Sequence, residues 1–208
     1  MRAREQILGR VRAALGSQSA AAVPATRIVV PQVSIQEREK RFFAALEKLN
    51  VKTHRATSGD DARAYAEALI AGRAAVASNS PVLAQCGVHS LANVASGFDS
   101  SERLREACAS ANLGITCADY ALADTGTLVM LSSQEEARMI SLVPPAHLAI
   151  VPRERVLTGL DELFTLLPKP AARSSSMVFI TGPSRTADIE QILVRGVHGP
   201  GEVHVVLL

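Results

Sequence analysis

Asp119, Asp124, Thr125 and Thr127 crowd around Gly126 in a segment that feeds the apolar run ending at Ser132. Asp119 and Asp124 are candidate catalytic bases, since a carboxylate within reach of a ligand proton can remove it. A Thr-Gly-Thr turn at Thr125, Gly126 and Thr127 can aim backbone N–H groups and two hydroxyls at an oxyanion. The same aspartates also cap turns and helix ends well.

Two further segments carry candidate ligand-binding residues. In the first, Arg138 offers a planar fork for a carboxylate or phosphate. Ser141 adds a hydroxyl, and His147 can act as acid, base or ligand. A histidine beside a strand is equally well satisfied by backbone hydrogen bonds. The second segment runs Thr181, Gly182, Pro183, Ser184, Arg185, Thr186, Ala187, Asp188. It follows a predicted strand and precedes a helix predicted over Asp188–Val194, a layout that binds anions through free backbone amides. Asp188 with Gln191 three residues on makes a capping box that would engage those amides internally. His198 stands in the glycine-rich turn before the last strand. Neither a G-x-G-x-x-G pattern nor a Walker A lysine is present, so a standard dinucleotide or ATP loop is not supported.

The elements that must position these residues alternate along the chain. Residues 1–16 read as an amphipathic helix and 17–34 as a Ser-, Ala- and Pro-containing linker, leaving 35–208 as the body. After Ser34 a helix carries Ile35, Phe42, Leu46 and Leu49 on one stripe, opposed by Glu37, Arg38, Glu39 and Lys40. Strands are predicted at Val51–Arg55, Ala74–Ser78, Ile115–Ala118, Gly126–Leu131, His147–Val151, Met177–Ile180 and Val203–Leu208. Helices are predicted at Asp60–Ala71, Pro81–Cys86, Ser101–Ala111 and Leu157–Leu167. Strands separated by helices point to an α/β fold with a mainly parallel sheet flanked by helices, plus an N-terminal helical extension.

Composition narrows the function classes. Nearly half the residues are hydrophobic (48%) but only 3% aromatic, so the core is built from Ala, Val, Leu and Ile. A net charge of +2 gives no reason to expect a nucleic-acid partner. Cys86, Cys108 and Cys117 lack C-x-x-C spacing, which argues against a disulfide framework, a metal site or a cluster held by this chain alone. No apolar run reaches the ~18 residues of a membrane span. Arg2, Arg4, Arg10 and Arg12 interrupt any signal-like segment, so a cytoplasmic location is expected; separately, no bound cofactor is expected. Glu135 and Glu136 lie in a charged run and read as solvated.

Three long stretches, ITCADYALADTGTLVML (115–131), RMISLVPPAHLAIVP (138–152) and ITGPSRTADIEQILVRGVHGPGEVHVVLL (180–208), resemble the lactate utilization protein C family, whose shared module is the LUD domain. The resemblance implies a NagB/RpiA/CoA-transferase-like fold. It also implies a non-redox accessory role in oxidising L-lactate to pyruvate beside iron–sulfur partner proteins, with a small carboxylate or phosphate-bearing ligand. Two other readings stay open: a free-standing CoA-transferase- or sugar-phosphate-isomerase-like enzyme, and a regulatory interaction module.

Overall fold

The computed structural model describes residues 3–16, 30–187 and 193–208. Helix α1 (Ala3–Leu15) buries none of its residues. Helix α2 (Ile35–Lys48) is capped by Ser34, whose hydroxyl accepts from the Glu37 amide, and it buries Phe42 and Leu46 of the predicted apolar stripe, whereas Ile35 in its first turn is exposed. Glu39 departs from that reading. It is buried rather than solvated.

Strand β1 (Lys52–Arg55) is followed by α3 (Gly59–Ile70), capped by Ser58 and burying Ala62, Ala66 and Ile70 at four-residue spacing. Next come β2 (Ala75–Ala77), α4 (Pro81–Gln85), β3 (Val94–Ala95), α5 (Ser101–Ser110) and β4 (Leu113–Cys117). Then follow β5 (Tyr120–Leu122), β6 (Thr127–Leu131), α6 (Met139–Leu142) and β7 (Ala146–Val151). The chain continues with β8 (Val156–Leu157), α7 (Leu160–Leu166), β9 (Met177–Ile180), β10 (Arg185–Ala187), β11 (Leu193–Arg195) and β12 (Glu202–Leu207).

The main sheet is parallel throughout, in the order β1-β12-β7-β4-β2-β3. Alternate residues feed opposite faces, as the pleat requires. Ala75, Ala77, Ile115, Cys117, Leu148 and Ile150 cluster with α3 and with Leu83 of α4. Ala149, Val151, Val203, Val205 and Leu207 pack with Phe42 and Leu46 of α2 and with Leu128 and Met130 of β6. Both faces are covered, which is why these strands read as continuous apolar runs.

A second sheet, β8-β5-β6-β9, was not foreseen from the pattern; its β5–β6 and β6–β9 pairings are antiparallel. It takes the strands predicted at Gly126–Leu131 and Met177–Ile180 away from the main sheet. The end of the helix predicted over Asp188–Val194 is also corrected, at Leu193 and Val194. Residues 188–192 lie outside the described residues, and Leu193–Arg195 forms a strand paired antiparallel with Arg185–Ala187.

The connections set the working edge. From β2 the chain moves on to β3 at one edge of the sheet, whereas from β4 it passes to β7 on the other side. Adjacent strands whose exits diverge leave a crevice beyond their carboxyl ends, the preferred ligand position in open α/β sheets. Here it lies between β2 and β4.

Candidate functional site

Ser78, just past β2, and Cys117, the last residue of β4, face this crevice from either strand. One buried carboxylate bridges them. Glu136 Oε1 accepts from the Ser78 hydroxyl at 2.6 Å and from the Cys117 amide at 2.9 Å. Its Oε2 is buried and has no partner among the described residues. A local turn places it there. The Ser133 hydroxyl accepts from the Glu135 and Glu136 amides, and the Asn79 amide donates to the Glu135 carbonyl. The expectation that Glu136 is solvated is therefore overturned; Glu135 is exposed as predicted.

Burial pushes the Glu136 carboxyl up to about 7, a stronger effect than the opposing pull of its two hydrogen bonds. A carboxyl of that strength gives and takes a proton at neutral pH. Asp119 stands close enough to raise it further by charge repulsion. Burial raises Asp119 as well, and its Oδ2 accepts from the Leu131 amide at 2.7 Å. Arg155 closes the cluster, its Nη1 donating to the Ala118 carbonyl at 3.0 Å and contacting Cys117 Sγ at 3.5 Å. The Cys117 thiol is pushed up to about 11 by burial, so it stays protonated and is a poor nucleophile. A cleft of about 660 Å³ adjoins the cluster, lined by Asn79 and Glu135, the chain neighbours of Ser78 and Glu136, together with Phe98 and Ser100.

The residues singled out in sequence separate into several places. Asp119 belongs to the crevice. Asp124 lies past the far end of β5, exposed and against Gly159, so the two aspartates do not form one catalytic pair. Thr125, Thr127 and Thr181 do meet, their hydroxyls linked at 2.8 and 2.9 Å. Gly126 and Gly182 flank them at φ +69° and +84°, each pressed onto α2 or its cap, where a Cβ would lie 3.1 Å from Ala45 and 3.2 Å from Leu49. These glycines serve close packing. The Gly126 amide donates to the Leu122 carbonyl and Arg185 donates to the Leu49 carbonyl, so these two donors are already engaged.

Arg138 is exposed at the start of α6 and Ser141 is buried within it, donating to the Arg138 carbonyl. No hydrogen bond or ion pair among the described residues joins Arg138 to the threonine cluster. His147 is fully buried inside β7, paired with the Thr116 hydroxyl at 2.8 Å, and burial lowers it to about 4. It is a neutral core group. Pro183 and Ser184 sit in the loop that the Ser184 amide ties to the Pro200 carbonyl, and His198 is exposed on a bend. Thr186 lies on β10, and Asp188 lies outside the described residues. Arg185 and Thr186 of the expected anion-binding turn lie on β10, which pairs with β11. Among the described residues no group of three or more His, Cys, Asp or Glu could hold a metal ion, and no helix is long and apolar enough to cross a membrane.

Residues 39–208 match the LUD domain family. Lactate utilization protein C of Halalkalibacterium halodurans is 44% identical over 103 residues, 48% of this chain and 45% of that protein. Its counterpart in Bacillus subtilis is 38% identical over 102 residues, 47% of this chain and 42% of that protein. The chain thus spans about half the length of the curated relatives it matches. The crystal structure of a DUF162 family protein from Deinococcus radiodurans shares the fold, with a TM-score of 0.63 over 85% of this chain and 99% of that one, at 16% identity.

Proposed function

The chain belongs to the LUD domain family, and from that premise we propose that it serves lactate utilization as a component without a redox centre of its own. It acts beside iron–sulfur proteins of lactate oxidation and binds a small carboxylate in the crevice between β2 and β4. The pathway is supported by the name the relatives carry, lactate utilization protein C. The location is supported by one observation above the others: Glu136 sits at the divergence of the sheet with an unpaired oxygen.

Arg155 is the natural partner for the ligand's carboxylate. Its Nη1 is held by Ala118 and Cys117, which fixes the plane of the guanidinium. The remaining prongs suit a bidentate carboxylate. Glu136 then faces the oxygen on the neighbouring carbon, accepting from a hydroxyl when ionised and donating to a carbonyl when protonated.

Calorimetry with L-lactate and pyruvate tests the reading. Arg155→Met is expected to weaken binding about tenfold, near 1.4 kcal/mol. Absence of binding by either acid, with the chain alone and with its iron–sulfur partners, would reject the ligand.

A further inference from the structure

We infer that α1 is the docking element of a dimer: the α1 of one copy lies in an apolar groove on the second sheet of another copy, and the exchange is reciprocal. Ile7, Val11 and Leu15 recur at four-residue spacing and form one stripe on α1. They stay 62%, 48% and 69% exposed. A helix of 13 residues is marginal in water without packing, and Gly9 in its middle weakens it further. The stripe therefore needs a surface to lie on.

Such a surface is present on the body. A groove of about 410 Å³ is walled by Leu122, Leu160, Phe164 and Phe179, together with the three linked threonines. Leu160, Phe164 and Phe179 are exposed, and so is Leu166 further along α7. Among the described residues, most of the large apolar side chains left exposed thus belong either to the α1 stripe or to α7 and β9. Concentrated apolar exposure marks an interaction site. Apolar residues one turn apart on a helix are the anchors by which a groove receives it.

Three observations choose a second copy as the occupant. The chain that leads from α1 enters α2 beside α7, where Arg38 donates to the Val33 carbonyl and to Glu162 of α7, both at 3.0 Å. Each copy therefore roots its helix next to its own groove, and a two-fold axis brings each helix to the groove of the other. The single chain leaves both surfaces open, since α1 buries none of its residues, whereas a pair covers both. Charge agrees. Asp161 stands exposed beside Leu160, and α1 brings Arg4, Arg10 and Arg12 against one acid, Glu5. Neither surface includes Glu136 or Arg155, so the dimer does not depend on the ligand assigned to the crevice.

The test is analytical ultracentrifugation of the full chain over a range of concentrations. A concentration-dependent dimer is expected, its dissociation constant raised at least about tenfold in Val11→Asp and in Phe179→Asp. Both positions are exposed, so the fold should survive the change. Should Phe179→Asp fail to fold, a labelled peptide of residues 3–16 takes its place, expected to bind the Val11→Asp chain, whose groove is vacant. A monomer at every concentration, equal dimer strength in wild type and Val11→Asp, or no binding of the peptide would overturn the proposal. Amide exchange that protects α1 within a monomer would give the groove to the chain's own helix and overturn the second copy.

Discussion

Gly114→Ala is expected to lower the folding stability by about 4 kcal/mol, the sum of an overpacking cost and the exposure of one large side chain. Gly114 is the second residue of β4, which is paired on both sides, by β2 and by β7. A Cβ there would fall 1.8 Å from the Ile140 carbonyl oxygen and 2.9 Å from its carbon. Both are backbone atoms, so no side-chain rotation relieves the overlap. The strand is locked between its neighbours, and α6 is the part that must retreat. Ile140, now 2% exposed, would leave a cluster with Val76, Cys108 and Ala111. Helix α6 also follows directly on the turn that carries Glu136, so the crevice should loosen with it. Urea unfolding measures the loss, with a fall in midpoint at unchanged m-value. A loss under about 1 kcal/mol would show that α6 yields at little cost and is not a fixed roof over β4.

What was legible in the sequence is what local chemistry decides. The helix that starts after Ser34, the Phe42 and Leu46 stripe within it, and the apolar strand runs each act through near neighbours, and the structure follows them. Strand order is different. It depends on contacts between residues far apart in the chain, and Glu136 acquires its role only because β2 and β4 are adjacent. Read alone, Glu135-Glu136 is a solvated pair; only the Ser133 turn sends one carboxylate inward. The hint available was that serine two and three residues ahead of two acids, a spacing that folds their amides back onto its hydroxyl. Gly126 and Gly182 were recognised as special in sequence; what the pattern did not convey is that each also lets α2 or its cap approach closely. Within the Thr181–Asp188 segment, Arg185 and Thr186 are drawn into β10, where Thr186 pairs with Val194 of β11, a pairing with residues beyond the local pattern.

Glu136→Gln is expected to stabilise the protein at pH 8 by about 3 kcal/mol and to change it little in acid, below pH 4.5. The sign follows from the two states. In the unfolded chain the carboxyl ionises near its ordinary value of 4.5, whereas in the fold it ionises at about 7. Its raised value therefore contributes stability that is complete below pH 4.5 and is lost as pH rises through 7. Glutamine mimics the protonated form, keeping an oxygen for Ser78 and Cys117, and cannot ionise. His147 acts in the opposite sense. Burial lowers it from 6.5 to about 4, so its contribution is present above pH 6.5 and is lost as pH falls through 4. Between pH 4.5 and 6.5 the two groups oppose each other, and the stability of the wild type should change little there through them. In Glu136→Gln only the histidine remains of this pair, so stability should fall through that whole interval as pH is lowered. Denaturant midpoints taken from pH 4 to 8 on both proteins give the difference directly, since every other titrating group is shared. A variant less stable than wild type at pH 8, or one whose profile runs parallel to it, would mean that Glu136 is already ionised and matched in the fold. The neutral-pH proton exchange assigned to the crevice would fall with that result.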